Sequence, residues 1–143
     1  MKPTSSGNWI FLCNPNYYLI DKAFRENETL YWHQIKRLNG IQIGATVYVY
    51  LSGKEGIIRY KTTVVDKDIE TPLKDDSCYS LKQEKLDDIN KQKRYLLLKL
   101  EQVIKNEELN LNFLKQNGVT CFMGPISLSV ELNSKINKKL IGE

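Results

Sequence analysis

The chain carries one histidine, His33, and three cysteines, Cys13, Cys78 and Cys121, which lie far apart with no C-x-x-C spacing. A zinc site needs closely set thiol or imidazole ligands, and a disulfide framework needs an even set of thiols, so neither is expected. A metal site would have to rest mainly on carboxylates, and a cysteine–histidine pair has one possible base. No carboxylate pair stands at a recognisable spacing and no G-x-x-x-x-G-K-[ST] phosphate loop occurs, so no cofactor, metal or catalytic machinery is expected. No apolar run approaches the roughly 20 residues of a membrane helix, and no basic-then-apolar leader precedes Trp9, which predicts a cytoplasmic protein without a membrane partner. Repeats and low-complexity tracts are also lacking.

What is present fits a globular protein. At 143 residues the chain is long enough for one real core and short for two, so a single domain over 1–143 is expected. Hydrophobic residues at 41% and charged residues at 27% give the balance of a folded, water-facing chain. The net charge of +4 is mild, tolerating a phosphate backbone without demanding one.

Along the chain, the polar start around Ser5-Ser6-Gly7 predicts a flexible segment over about residues 1–8. A strand is expected from Trp9 to Cys13, stopped at Asn14-Pro15-Asn16 because proline removes a backbone donor and asparagine favours turns. Ile20, Ala23 and Phe24 fall on one face of a short helix over Leu19 to Arg25. From Ala45 the alternation is strict, with Ala45, Val47, Val49 and Leu51 on one face and Thr46, Tyr48, Tyr50 and Ser52 on the other. Ser52-Gly53-Lys54-Glu55-Gly56 then links into a second strand, Ile57 to Val65, forming a hairpin in which Arg59 and Lys61 point to solvent.

The stretch from Asp66 to Gln92 reads as a surface excursion, with Pro72 and a short helix around Leu81 to Ile89. Leu96, Leu98, Leu100 and Ile104 predict a long strand over Arg94 to Ile104, although leucine and lysine also favour helix. Leu109 to Gln116 reads as a short helix stopped at Asn117-Gly118, and Ile126 to Ser129 as extended. Leu132, Ile136 and Leu140 then set the inner face of a last helix from about Val130 to Leu140, capped by Ser129. Together these elements predict an α+β fold with a mixed, strongly bent sheet, a small β-barrel, flanked by short helices.

Trp9-Ile10-Phe11-Leu12-Cys13-Asn14-Pro15, Tyr17-Tyr18, Ala23-Phe24, Trp32-His33-Gln34 and Val47-Tyr48-Val49-Tyr50-Leu51-Ser52, with Gly44 shortly before the last run, follow one another in an order that resembles the EVE domain of the PUA-like superfamily. The likeness covers Trp9 to about Val65 well. Gly124-Pro125-Ile126-Ser127-Leu128 and the helix after it are a looser match. Ala45 and Leu51 depart from the pattern, which often has an acidic residue at the first and in some members a histidine at the second. The resemblance implies a bent PUA-like barrel whose pocket accepts a modified base flipped from nucleic acid, modified cytosine in DNA being favoured over RNA. It places Cys13, Asn14, Pro15, Trp32, Tyr50, Leu51 and Ser52 in that pocket.

The side-chain chemistry is compatible with this reading. A flipped base has two apolar faces and a polar edge, so it needs aromatic surfaces and a few amides or hydroxyls. Trp32 and Tyr50 can stack, while Asn14 offers both donor and acceptor and Ser52 a rotatable hydroxyl. Lys54, Arg59 and Lys61 are candidate phosphate contacts. The bland readings are that Trp9 is a core anchor, that Asn14 caps a turn, and that His33 is a surface residue beside Trp32. Competing functions are a sensor of a free nucleobase, nucleoside or planar metabolite, a protein-interaction domain, and a nucleic-acid hydrolase using Glu26, Glu28, Asp75 or Asp76.

Overall fold

A computed structural model describes residues 5–71, 79, 94–119 and 124–141. Six strands, β1 (Ser5–Cys13), β2 (Thr29–His33), β3 (Thr46–Leu51), β4 (Ile57–Ile69), β5 (Tyr95–Val103) and β6 (Ile126–Ser129), form one mixed sheet in the order β2-β5-β4-β3-β1-β6. Among the described residues three α-helices accompany it: α1 (Ile20–Glu26), α2 (Leu111–Gln116) and α3 (Val130–Ile141). The α+β class and the bent mixed sheet agree with the expectation from sequence. No helix among the described residues is long and apolar enough to cross a membrane.

The β3–β4 hairpin forms where alternation and the glycine-containing link predict it, with Gly53 and Gly56 at φ +87° and +55° in the turn. Its register contains one irregularity. Val49 faces Tyr60 and Tyr50 faces Ile58, so Arg59 is an extra residue, a β-bulge. This bulge puts Ile58 and Tyr60 on opposite faces of the sheet, against the shared face that simple alternation implies. Further shifts between β4 and β5, at Lys61/Thr62 and Val64/Asp66, add local bends to the same ladder.

The bent sheet has two buried faces. On one, Phe11, Val47, Val64, Leu96 and Leu98 pack together, continuing into Cys13, Val49, Leu51 and Tyr60 beneath Ile20, Ala23 and Phe24 of α1. On the other, Ile10, Tyr48, Tyr50 and Ile58 are covered by Leu114 of α2 and by Leu132 and Ile136 of α3. The Ser129 cap is as sequence predicts, with Leu132 N–H donating to Ser129 Oγ at 3.1 Å; Asn110, inside the stretch expected as helix, instead caps α2 by accepting from Phe113 N–H at 3.0 Å. Gly118, at φ +95°, follows the end of α2.

Four expectations need correction. The barrel is not closed: β2 and β6 are the two outer strands. β1 pairs in parallel with β3 along Trp9–Cys13 and antiparallel with β6 only as far as Ile10, while β2 pairs with β5, so the two outer strands do not meet in a backbone ladder. The first strand also begins at Ser5 rather than Trp9, held by Ser6 Oγ donating to Leu128 O at 2.9 Å. Likewise β4 runs on to Ile69 through residues expected in a surface excursion, because β5 supplies partners as far as Tyr95. Finally, Trp9 is only half-buried, while its neighbours Ile10 and Phe11 are fully enclosed. The helix expected around Leu81 to Ile89 lies outside the described residues.

Since Phe11 is fully buried at the centre of one face, Phe11→Ala should cost about 3–5 kcal/mol of stability, more than Trp9→Ala. Urea unfolding of both variants checks the order, and equal destabilisation would return the anchoring role to Trp9.

Candidate functional site

Although β2 has no backbone partner on β1, the curl of the sheet brings the two strands together through side chains. The rings of Phe11 and Trp32 lie 5.4 Å apart, centre to centre. Beyond that contact the seam opens into a cleft of about 280 Å³, lined by Leu12, Cys13 and Asn14 at the end of β1, Tyr17 and Tyr18 in the following turn, and Tyr31, Trp32 and His33 of β2. The cleft therefore occupies the gap in the unclosed barrel.

Local chemistry shapes each wall. Asn14 Oδ1 accepts from Asn16 N–H at 2.9 Å, and its carbonyl accepts from Tyr17 N–H at 2.9 Å and Tyr18 N–H at 3.1 Å. This asparagine-built turn presents Tyr17 and Tyr18 to the cleft. Asn14 thus does cap a turn, yet it also lines the cleft, and its amide nitrogen has no protein partner among the described residues. Tyr17 is half exposed at the mouth, and the His33 ring lies 6.2 Å from that of Tyr95 on β5.

The end of β2 is fixed by Gln34, which is buried and fully engaged. Its amide nitrogen donates to Asp68 Oδ1 at 2.8 Å and Asn39 Oδ1 at 3.2 Å, while its oxygen accepts from Asp68 N–H at 2.8 Å. Asp68 adopts φ +53°, the left-handed region that aspartate tolerates better than most residues. The Trp32-His33-Gln34 run therefore divides its work: two side chains line the cleft and the third locks the strand in place.

The residues expected in one pocket are split by the sheet. Cys13, Asn14 and Trp32 meet at the cleft, but Tyr50 is buried on the opposite face among Ile10, Ile58 and Leu114. Because β3 is an inner strand, its alternation points Tyr50 into the helix-covered core, where burial raises its hydroxyl pKa. Leu51 is fully buried beneath α1. Pro15 and Ser52 adjoin the cleft without lining it. Ser52 N–H donates to Cys13 O at 2.9 Å, tying the β3–β4 turn to the end of β1.

Lys54 is exposed at that turn, whereas Lys61 is half-buried opposite Tyr48. Arg59 donates from Nη1 to Ile104 O at 3.0 Å and lines a different cavity. Sequence reasoning missed Tyr17, Tyr18, Tyr31 and His33 as lining residues; their density between Tyr17 and His33 was the signal that could have found them. Among the carboxylates considered for catalysis, Glu26 accepts a hydrogen bond from the Tyr79 hydroxyl at 2.6 Å, and Asp75 and Asp76 lie outside the described residues. Among the described residues no three His, Cys, Asp or Glu side chains are grouped to hold a metal ion.

No protein-family model and no curated protein matches the chain. Solved structures do. A Pseudomonas syringae protein determined by structural genomics superposes with a TM-score of 0.65 at 18% identity, covering 92% of this chain and 97% of its own. A mutant of ZmASCH from Zymomonas mobilis gives 0.64 at 14% identity over 96% and 98%. A hypothetical protein from Leishmania major gives 0.61 at 15% over 94% and 95%. The chain therefore shares its fold with these proteins across nearly its whole length.

At the cleft floor, burial pushes the Cys13 thiol up to about 12, assisted by the nearby Asp21 charge. A folded-state value above the ordinary 9.0 means this thiol contributes stability that is intact below pH 9 and lost as pH rises toward 12. Burial moves the Tyr48 hydroxyl from 10.0 to about 12, adding a loss of the same sign. Thermal melts from pH 7 to 11 should show stability falling above about pH 9, and Cys13→Ser should flatten the first part of the fall. At pH 8 iodoacetamide should leave native Cys13 unmodified by peptide mass mapping; rapid alkylation would contradict its burial.

Proposed function

We propose that this protein is a non-catalytic nucleic-acid-binding module of the EVE branch of the PUA-like superfamily, reading a modified nucleobase, foremost modified cytosine in DNA, flipped into the seam cleft. The observation that carries this reading is the cleft itself: Trp32 and three tyrosines around a space of about 280 Å³, with the Asn14 amide nitrogen, unpartnered among the described residues, at its edge. That volume lies just below the roughly 300–1,000 Å³ range of small-molecule sites, which suits one flat base better than a larger ligand. Aromatic walls serve the faces of the base and the asparagine amide its edge. The fold shared with ZmASCH supports the PUA-like part of the reading.

In this reading Trp32 is the stacking surface, and Tyr31, Tyr17 and Tyr18 take the role expected of Tyr50. Lys54, on the turn that Ser52 ties to the end of β1, is the phosphate contact nearest the cleft, with Lys61 further along the hairpin. A methyl group on the base adds about 1 kcal/mol or less of apolar contact, against roughly 1–3 kcal/mol for stacking, so base shape dominates affinity.

A sensor of a free nucleobase, nucleoside or other planar molecule is the second reading. It is favoured by the lining of the cleft, which among the described residues includes no lysine or arginine. The two readings separate in fluorescence binding of modified and unmodified oligonucleotides, alongside the corresponding free nucleosides, at two salt concentrations. Modification-selective, salt-dependent binding to the oligonucleotide supports the nucleic-acid reader. Equal affinity for the free nucleoside with no salt dependence establishes the sensor.

Trp32→Ala should cost about 1–3 kcal/mol of binding. It should also lower stability, because Trp32 packs on Phe11, so affinity is compared at a temperature where the variant is folded. Asn14→Asp retains an oxygen for the Asn16 N–H but removes the amide donor, and should weaken binding by about 1–3 kcal/mol with the turn intact. Replacing Lys54 and Lys61 with alanine should reduce the salt slope by roughly one for each phosphate that is no longer neutralised. Full affinity in both Trp32→Ala and Asn14→Asp would remove the cleft from the binding site.

A further inference from the structure

A second cavity, about 350 Å³, lies between α1 and the β4–β5 pair and shares no lining residue with the seam cleft. Its apolar part consists of Phe24, Leu100, Val103 and the ring of Tyr60, which packs on Phe24 with centres 4.8 Å apart. Asp21, Arg25 and Arg59 supply its charged part.

These three charges are arranged in an unusual way. Arg25 is an exposed side chain in the last turn of α1, one turn after Asp21, and Arg59 is the extra residue of the β4 bulge, a feature that re-aims a side chain. Arg59 Nη1 donates to Ile104 O at 3.0 Å, which orients the guanidinium and leaves its other donors available. Asp21 does not neutralise either arginine: its Oδ1 accepts from the Tyr60 hydroxyl, and neither guanidinium forms an ion pair among the described residues. The cavity thus combines two cations able to hold an anion through several donors, one carboxylate with a remaining acceptor oxygen, and an apolar wall.

We infer that this cavity is a binding site for a phosphorylated sugar, with the phosphate held by Arg25 and Arg59 and the sugar hydroxyls donating to Asp21. An anion alone would gain nothing from Asp21 and would be repelled by it, whereas a sugar phosphate matches both signs of charge. The apolar wall accommodates the carbon skeleton. This site is separate from the seam cleft and does not require that cleft to bind a base.

Amide chemical-shift titration with ribose 5-phosphate and with ribose tests the inference on the full chain. Ribose 5-phosphate should give saturable shifts at Arg25, Tyr60 and Leu100, and ribose should bind at least about tenfold more weakly, since it lacks the charge-assisted bonds. Arg25→Gln combined with Arg59→Gln should weaken ribose 5-phosphate to the level of ribose, and Trp32→Ala should leave its affinity unchanged. Should the double variant lose its fold, Arg25→Gln alone decides the matter, because that side chain is exposed and should weaken binding without unfolding.

The sugar phosphate could be a free molecule or the end of a nucleic-acid strand. Comparing 5′-phosphorylated with 5′-hydroxyl oligonucleotides of one sequence separates these sources: shifts at the cavity with the phosphorylated strand assign it to a strand end, and shifts with ribose 5-phosphate alone assign it to a free ligand. No saturable shift at the cavity, equal affinity for ribose and ribose 5-phosphate, or unchanged affinity in the arginine variant would each overturn the inference.

Discussion

The rest of the structure depends on a constraint at β1: β3 occupies one of its backbone edges along Trp9–Cys13, and β6 occupies the other only as far as Ile10. A strongly curled sheet would ordinarily complete itself by backbone pairing between its first and last strands. Here the outer strands β2 and β6 do not pair with each other among the described residues, and the seam between β2 and the end of β1 is held by side chains, with Phe11 against Trp32 as the central contact. Side-chain closure is looser than a hydrogen-bonded ladder and leaves room for a cleft at the strand ends. The same arrangement that ends the barrel therefore creates an aromatic concavity.

Position in the sheet also explains how two cavities coexist in a chain of this size. The helix α1 covers the β3–β4 region through Ile20, Ala23 and Phe24, and its polar side reaches the β4–β5 edge through Asp21 and Arg25. The turn before it, built on Asn14, faces the seam instead. A single turn and a two-turn helix thus serve two separate surfaces. The bond between Tyr60 and Asp21 joins the helix to β4 and orients a carboxylate that would otherwise be free to swing.

Alternation in the sequence marks β3, β4 and β5 clearly because each has apolar residues at period two, and Ser129 and Gly118 signal helix ends through cap chemistry. It says little about β2, whose Thr29-Leu30-Tyr31-Trp32-His33 run is short and does not alternate in polarity. Tyr50 shows a different limit: alternation separates two faces without saying which is concave, and both faces of an inner strand can be buried. The Arg59 bulge is likewise invisible to a period-two reading, because it arises from pairing with β3 and leaves no mark in the residue pattern. At the cleft, the end of β1 and the Trp32 wall were legible, while the tyrosine walls depended on a turn and a strand whose placement only the folded chain provides.

The Gln34–Asp68 clasp has a consequence for how the seam cleft can respond to an occupant. Reciprocal hydrogen bonds fasten the stretch of chain just after β2 to the far end of β4, and Lys67 adds donations to the carbonyls of Asn39 at 3.1 Å and Ile41 at 2.8 Å. Widening the cleft by moving β2 outward would break these bonds together and leave a buried amide unsatisfied. The β2 wall of the cleft is accordingly held in place by the fold itself, so that wall needs no reordering to face an occupant and little chain entropy is at stake there.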